Sequence, residues 1–530
     1  MKYEHQIDSL LAEYNQLNQP GFSVGVFQNN EWVYTRGLGL ANLDYKVPNS
    51  KDTVFRIAST SKQFTAACIF LLERQGKLSL QDRLSNFFPE FPEYAQRIRV
   101  HHLLHHTSGL RDYLMLAYLA GKRKEDYYTD FEVMEWLVRQ QNLNFEPGSA
   151  YAYSNSGYWL LGQIVRKVSG KTLAEFAQEY VFAPLEMTHT HFHDDPTRIV
   201  ENRATGYTVD EKENFKISMT PLPMVGDGGV FTTITDFKKW IDEYALCTYF
   251  DREFWEKMTS VGMLENGQKT NYAGGLEIST YQGLKTVSHG GSFVGYLSHF
   301  VLFPKEELAL VCFANRNDIL PWAINFMLAD VFLDGNVNAQ APEKQSGSQK
   351  FLPLSSEELS SFAGEYVIQP GIECLIEVDQ SGLTVMQNWN ESQYIIRPIA
   401  TNVFVLPEQA EIRFEFSDFR EGKASKLTVF QQGKKTECER KQATDFSGLN
   451  LEDYVGVYST KELDVRYNML IGDKALLCKV GNQECWELIP QADDRFVTQE
   501  MQFIFCRKEG LVSSFILEVA GIKNLEFIKE

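Results

Sequence analysis

Apolar and polar positions alternate in two long pieces at the ends of the first part of the chain. GFSVGVFQNNEWVYTRGLG reads as two strands around an Asn-Asn turn, and LSHFVLFPKEELALVCFAN as a second strand pair. Between them the period changes to that of helices. Ahead of them, Ile7, Leu10, Leu11 and Tyr14 form one stripe of an amphipathic N-terminal helix. WAINFMLADVFLD predicts a helix that closes this part. Strands at both ends with helices between predict an α+β fold: one antiparallel sheet completed by the two ends, with helices and a helical lobe.

The pattern then breaks. DGNVNAQAPEKQSGSQK is polar and rich in Gly, Pro, Ser and Gln, as linkers are. Beyond it a motif repeats. LSSFAGEY, from Leu359, matches LEDYVGVY, from Leu451, 92 positions later, and the same offset relates Pro398 to Pro490 and Phe404 to Phe496. Both copies show short alternating strands, which predicts two small antiparallel β-barrels. The expected division is 1–335 for the α+β domain, 336–352 for the linker, and 353–443 and 444–530 for the barrels.

Composition narrows the partners. The 530 residues carry 70 acidic against 51 basic side chains, a net charge of -19. Phosphate would be repelled, so nucleic acid and anionic membrane surfaces are disfavoured. No apolar run is long enough to span a bilayer. The N-terminus has no apolar leader segment, so the expected location is cytoplasmic, or periplasmic if a leader was removed. The eight cysteines form no CxxC pair and read as buried thiols. Whether the chain pairs as a homodimer stays open.

Candidate chemistry sits where FRIASTSKQFTA turns from loop to helix. Ser59 and Lys62, three apart, share a helix face, so the amine can reach the hydroxyl. A partly desolvated amine loses proton affinity and can accept the serine proton. Helix capping by Ser59 is the alternative. YAYSNSGYWLLG places Tyr153 and Asn155 before another helix, where Lys62 could lower the tyrosine pKa. KTVSHGGSFVGY supplies His289, Gly290 and Gly291 on what reads as an edge strand; the Ser292 amide could pair with the Ser59 amide as an oxyanion hole. Two histidine runs have ligand-like spacing. HHLLHH puts His101/His105 and His102/His106 one turn apart, but no Glu completes a zinc motif. THTHFHDD alternates His189, His191 and His193 along one strand face. No metal or cofactor is expected. GxSxG and GxxxxGK[ST] are both missing, which argues against an α/β-hydrolase and a phosphate loop.

In order, Ser59-Thr60-Ser61-Lys62, Tyr153-Ser154-Asn155 and His289-Gly290-Gly291 resemble the serine β-lactamase and penicillin-binding-protein superfamily, within it the class C β-lactamase-like branch. HHLLHHTSGL, FEPGSAYAYSNSGYWLLG and GDGGVFTTITDFKKW are similar to the same branch. The resemblance covers roughly residues 1–335 and implies a β-lactamase-like fold. It implies Ser59 as nucleophile, Lys62 and Tyr153 in proton handling, and Asn155, His289, Gly291 and Ser292 at the substrate. The third motif departs from the Lys-Thr-Gly of β-lactamases, and a histidine carries less charge near neutral pH. His-x-Gly together with two C-terminal barrels resembles D-aminopeptidases. The expected substrate is therefore a small peptide, amide or ester, a D-residue peptide first. A carboxylesterase, a weak β-lactamase or a D,D-carboxypeptidase is the alternative, and a non-catalytic ligand-binding protein is the alternative of another class. The turn Ala492-Asp493-Asp494 is a candidate partner for a substrate ammonium, or a plain hairpin turn.

Overall fold

The computed structural model describes residues 3–15, 18–123, 125–210 and 212–333, and 351–530 apart from 370–371, 380–381, 388–392, 408, 432–433, 442–448, 474, 482, 484, 493 and 499–500. The chain divides into two compact units, Met1–Ala341 and Pro342–Glu530. Of the expected linker 336–352, all but the last two positions lie outside the described residues.

The first unit is built on the two predicted strand pairs. β1 (Phe22–Gln28) and β2 (Glu31–Leu38) turn through Asn29 and Asn30, whose φ values of 53° and 62° suit asparagine and a tight hairpin. Further along come the short strands β3 (Phe55–Arg56), β4 (His191–Phe192) and β5 (Val230–Thr232), then β6 (Glu277–Tyr281), β7 (Leu284–Phe293), β8 (Tyr296–Phe303) and β9 (Leu308–Ala314). The main sheet runs β6-β7-β8-β9-β1-β2, all neighbours antiparallel. Phe22 faces Ala314 and Gln28 faces Leu308, so the first and last strands complete the sheet. Every residue of β9 is buried, as a strand covered on both faces requires. One face packs on the terminal helices α1 (Glu4–Leu10) and, at the far end, Pro321–Leu333, through Ile7, Leu11, Ile324 and Leu328. The other face meets helix Ile234–Leu246, where Phe237 contacts Phe300 and Phe313 edge-on or tilted.

Between sheet and helical lobe runs α2 (Lys62–Arg74). Lys62 through Leu72 are all buried. The helix is enclosed by α3 (Asn155–Ser169) and by the helical segments Leu173–Ala177, Gln178–Phe182 and Arg252–Met258, and this removes its solvent face. Even Gln63 is satisfied inside, accepting from the Trp240 indole at 2.7 Å and donating to the Thr60 carbonyl at 2.8 Å.

The second unit contains two closed eight-stranded antiparallel barrels, with strands spanning Gly364–Arg440 and Gly456–Lys529. The repeated motif lies at the closing seam of each. Tyr366 pairs across the seam with Arg440, and Tyr458 with Lys529. Each tyrosine is buried and donates its hydroxyl to the carbonyl four residues back, Phe362 or Tyr454, both at 2.8 Å. The long basic side chain of the last strand crosses the motif glycine. A Cβ at Gly364 would lie 2.1 Å from Arg440, and one at Gly456 2.7 Å from Lys529; both glycines hold φ of 152°. The cation then sits near the tyrosine ring, 5.0 Å for Arg440 and 5.6 Å for Lys529. The repeat is thus a device that closes a barrel. Of the candidate acidic turn, Asp493 lies outside the described residues, and Asp494 is engaged by Arg507 at 2.9 Å and by the Tyr454 hydroxyl.

Tyr458→Phe removes the seam hydrogen bond and leaves the buried Tyr454 carbonyl without it, a loss of about 1–2 kcal/mol. Amide exchange across Gly456–Lys529, followed by mass spectrometry, is expected to speed up about tenfold, with the first barrel unchanged.

Candidate active site

Ser59 lies in a 3₁₀ turn, Ala58–Ser61, that leads directly into α2. The preceding residue, Ala58, holds φ of 45°, a conformation costly for alanine and characteristic of sites where geometry is imposed from outside. The turn is pinned from two sides. Ser61 Oγ accepts from the Val230 amide at 3.0 Å. Thr60 Oγ1 lies 2.9 Å from Ser298 Oγ, which donates to the Ile57 carbonyl at 2.7 Å.

Lys62, on the next face of the turn, points its amine back at Ser59: Nζ to Oγ is 3.2 Å. Nζ also donates to Asn155 Oδ1 at 2.9 Å and to the Asp227 carbonyl at 2.5 Å. Asn155 is the first residue of α3, behind the cap Ser154, and its amide donates to Asp112 Oδ2 at 2.8 Å. Burial pushes the Lys62 pKa down to about 8, against the upward pull of Asp227 and Asp112. The Tyr153 ring lies 4.8 Å from the Lys62 amine, which sits over the ring face. Burial, the dominant influence, holds the phenol well above 10 against the downward pull of the neighbouring Ser59 hydroxyl.

His289 comes from β7. That strand is an edge only in part: β6 pairs with it as far as Ser288, opposite Glu277, and stops. His289 Nδ1 donates to the Gly290 carbonyl at 2.6 Å, so Nε2 accepts from the Tyr272 hydroxyl at 2.8 Å. Burial, followed by the Lys62 charge, takes its pKa down to about 3. It is a neutral wall. Gly291 allows β7 to pass the Ser59 turn, since a Cβ there would meet the Ile57 carbonyl at 2.3 Å and lie 3.0 Å from the Ser59 amide. Ser292 follows, exposed to the same space.

These groups line one cavity of about 560 Å³, which holds Ser59, Tyr153, Asn155, His289, Gly291 and Ser292 together with Arg56, Asp227 and Glu277. All the predicted site residues named for substrate contact meet there, and Lys62 lies behind them.

Other residues were not singled out by motif reading. Asp227, in GDGGV, supplies the carbonyl for Lys62, and its carboxylate accepts from Tyr113 at 3.0 Å. Asp112 caps Tyr113–Leu119 and holds Asn155. His106 accepts from the Ser154 amide and packs its ring 4.3 Å from both Tyr153 and Tyr272. Asp227 and His106 fall within family-like stretches and Asp112 just beyond one, but their roles depend on contacts 43 or more residues apart.

The histidine runs do other work. His102 accepts from the Arg99 amide, His105 lies 3.2 Å from the Tyr272 carbonyl, and His191 and His193 hydrogen-bond each other at 3.2 Å. Among the described residues no group of three or more His, Cys, Asp or Glu side chains could hold a metal ion.

The sequence signature of the Beta-lactamase family matches residues 7–326. The chain belongs to that family. It is 25% identical over 457 residues to penicillin-binding protein 4* of Bacillus subtilis, covering 83% of this chain and 98% of that protein. It is 29% identical over 301 residues to a D-aminopeptidase of Gluconobacter oxydans, covering 56% of each. The match thus spans about half the length of that relative. Among solved structures, the octameric penicillin-binding protein homologue from Pyrococcus abyssi superposes with a TM-score of 0.58 at 22% identity, over 82% of this chain and 99% of that one. D-amino acid amidase from Ochrobactrum anthropi gives 0.52 at 24%, over 59% and 92%. These likenesses carry the fold of the family unit. No helix among the described residues is long and apolar enough to cross a membrane.

Gly291→Ala is expected to force β7 away from the Ser59 turn. Capture of Ser59 by a fluorophosphonate should slow about a hundredfold, as ångström displacements of reacting groups do. Circular dichroism should be unchanged.

Proposed function

We propose that this chain is a serine hydrolase that cleaves amide or ester bonds through an acyl-enzyme on Ser59, with amides and short peptides of a small D-amino acid as the favoured substrates. The observation that carries this reading is the buried Lys62 amine, 3.2 Å from Ser59 Oγ and with a pKa pushed down to about 8.

Neutral Lys62 takes the Ser59 proton as Oγ attacks the carbonyl carbon. Tyr153 is the weaker candidate for that step, because burial keeps its hydroxyl protonated. Instead it donates a proton to the departing amine or alkoxide and regains one from Lys62. The amides of Ser59 and Ser292 receive the oxyanion. Asn155 holds the Lys62 amine in place. Water then attacks the ester; Lys62 takes its proton and passes it to Ser59 Oγ as the Oγ–acyl bond breaks, which frees the serine and returns Lys62 to its neutral form.

Substrate class rests on the relatives and on charge. Proteins named D-aminopeptidase and D-amino acid amidase share the fold. Glu277 lines the cavity and offers a carboxylate to a substrate ammonium. The neutral His289 cannot act as the cation that a β-lactam carboxylate meets in β-lactamases, which lowers the standing of that activity. A short ester, needing no ammonium partner, is the second reading. The non-catalytic reading would leave the Ser59–Lys62 contact without a use.

Ser59→Ala should lower turnover of D-alanine p-nitroanilide at least about a thousandfold. Wild type should prefer it to the L-anilide and to p-nitrophenyl butyrate. Ser59-dependent cleavage of the butyrate alone would replace the peptidase reading with an esterase.

Fluorophosphonate capture depends on the neutral fraction of Lys62. Its rate should rise about tenfold per pH unit below 8 and level off above about 9. A flat profile between pH 6 and 9 would remove Lys62 as the base.

A further inference from the structure

Arg56 is the last residue of β3, three positions before Ser59, and lines the same cavity. It is only 6% exposed. Among the described residues its guanidinium makes no hydrogen bond or ion pair, and Nε is buried without an acceptor. What touches it is aromatic: the guanidinium carbon lies 5.1 Å from the Phe293 ring and 5.9 Å from the Phe231 ring. Arg203 stands 5.1 Å from that same Phe231 ring, so its neighbour adds a second positive charge. The groups that act on its charge are engaged elsewhere: the Tyr296 hydroxyl donates to the Ala204 carbonyl, and the carbonyl and carboxylate of Asp227 already serve Lys62 and Tyr113.

A buried cation without an acceptor is costly, and five directed N–H donors beside a reacting serine suit a planar anion. The position is also distinct from that of Glu277. Glu277 stands opposite Ser288, whereas Arg56 lies against Phe293, five residues further along β7. Gly291, which abuts the Ser59 amide, lies between them. The cavity therefore has an acidic and a basic end with the nucleophile between.

We infer that Arg56 forms a carboxylate-binding subsite, and that the substrate is a short peptide with a free C-terminal carboxylate. This rests on the reading of Ser59 as the reacting centre and adds what the substrate carries at one end. Arg56 is a specificity-determining residue here: it selects the peptide acid over the corresponding amide.

The test uses the full chain with Ser59→Ala, so that ligand is bound and not consumed. Calorimetry compares D-alanyl-glycine with D-alanyl-glycinamide, and the N-acetylated forms of both. Each acid is expected to bind at least about tenfold more tightly than its amide. Adding Arg56→Gln should erase that preference and leave the amides within threefold. Arg56→Lys, which keeps a cation, should retain part of it and supplies the readout if the glutamine variant fails to fold. Equal affinity of acid and amide in the Ser59→Ala protein would overturn the inference. So would an acid preference that survives Arg56→Gln, or a loss shared equally by acid and amide. The acetylated pair carries no ammonium, so an acid preference there stands even if wild type fails to cleave D-alanine p-nitroanilide and the aminopeptidase reading falls. Cleavage of the anilide with no acid preference would leave that reading in place and remove the subsite.

Discussion

The site depends on one buried amine. Lys62 has no solvent to hydrate it, and an uncompensated ammonium inside a protein costs several kcal/mol. Three oxygens answer it, one from the adjoining turn and two from distant segments: Ser59 Oγ, Asn155 Oδ1 and the Asp227 carbonyl. Each oxygen is itself held. The Ser59 turn is pinned by Val230 and Ser298, Asn155 by Asp112, and Asp227 by Tyr113. The helical lobe and the sheet are thus joined at the lysine. The compensation is partial, which leaves the amine easier to deprotonate than a surface lysine and makes it useful as a base.

Burial of this degree was not legible in the sequence. The Ser59–Lys62 spacing gave the contact, and the stretch before α3 gave Tyr153 and Asn155, because helix geometry is local. A helix enclosed on all sides can place Gln63 and Thr65 inside if each finds a partner, as Gln63 does with Trp240 and Thr65 with the Gly226 carbonyl. Period alone cannot distinguish a polar residue facing water from one satisfied within. Asp112, Asp227 and Arg56 escaped for a related reason: each acts across the fold, through neighbours that no spacing encodes.

The barrels show the opposite case. Their repeat was legible as a repeat, and its strands as strands, because alternation and turn residues are local. The reason for those particular residues was not. Glycine, tyrosine and a basic residue some 70 positions later form one closing unit in each barrel. The basic residue differs, Arg440 in one and Lys529 in the other, and sits at a different offset. A search for identical letters therefore finds the glycine and tyrosine and misses the cation that explains them.

The neutral state of His289 follows first from its burial and then from Lys62: a second cation beside the buried amine would be repelled, and imidazole sheds its proton more easily. Imidazole gives way before the amine, and the Tyr272 hydroxyl and Gly290 carbonyl then fix it as a neutral ring. A neutral ring at this position adds no second cation beside Lys62, whose own proton affinity stays intermediate. Of the side chains that line the same cavity, Glu277 stands beside the start of the free edge of β7 and Arg56 beside its end. Under the proposed function, charge recognition and proton transfer would be separated in space, so that a change in one need not retune the other.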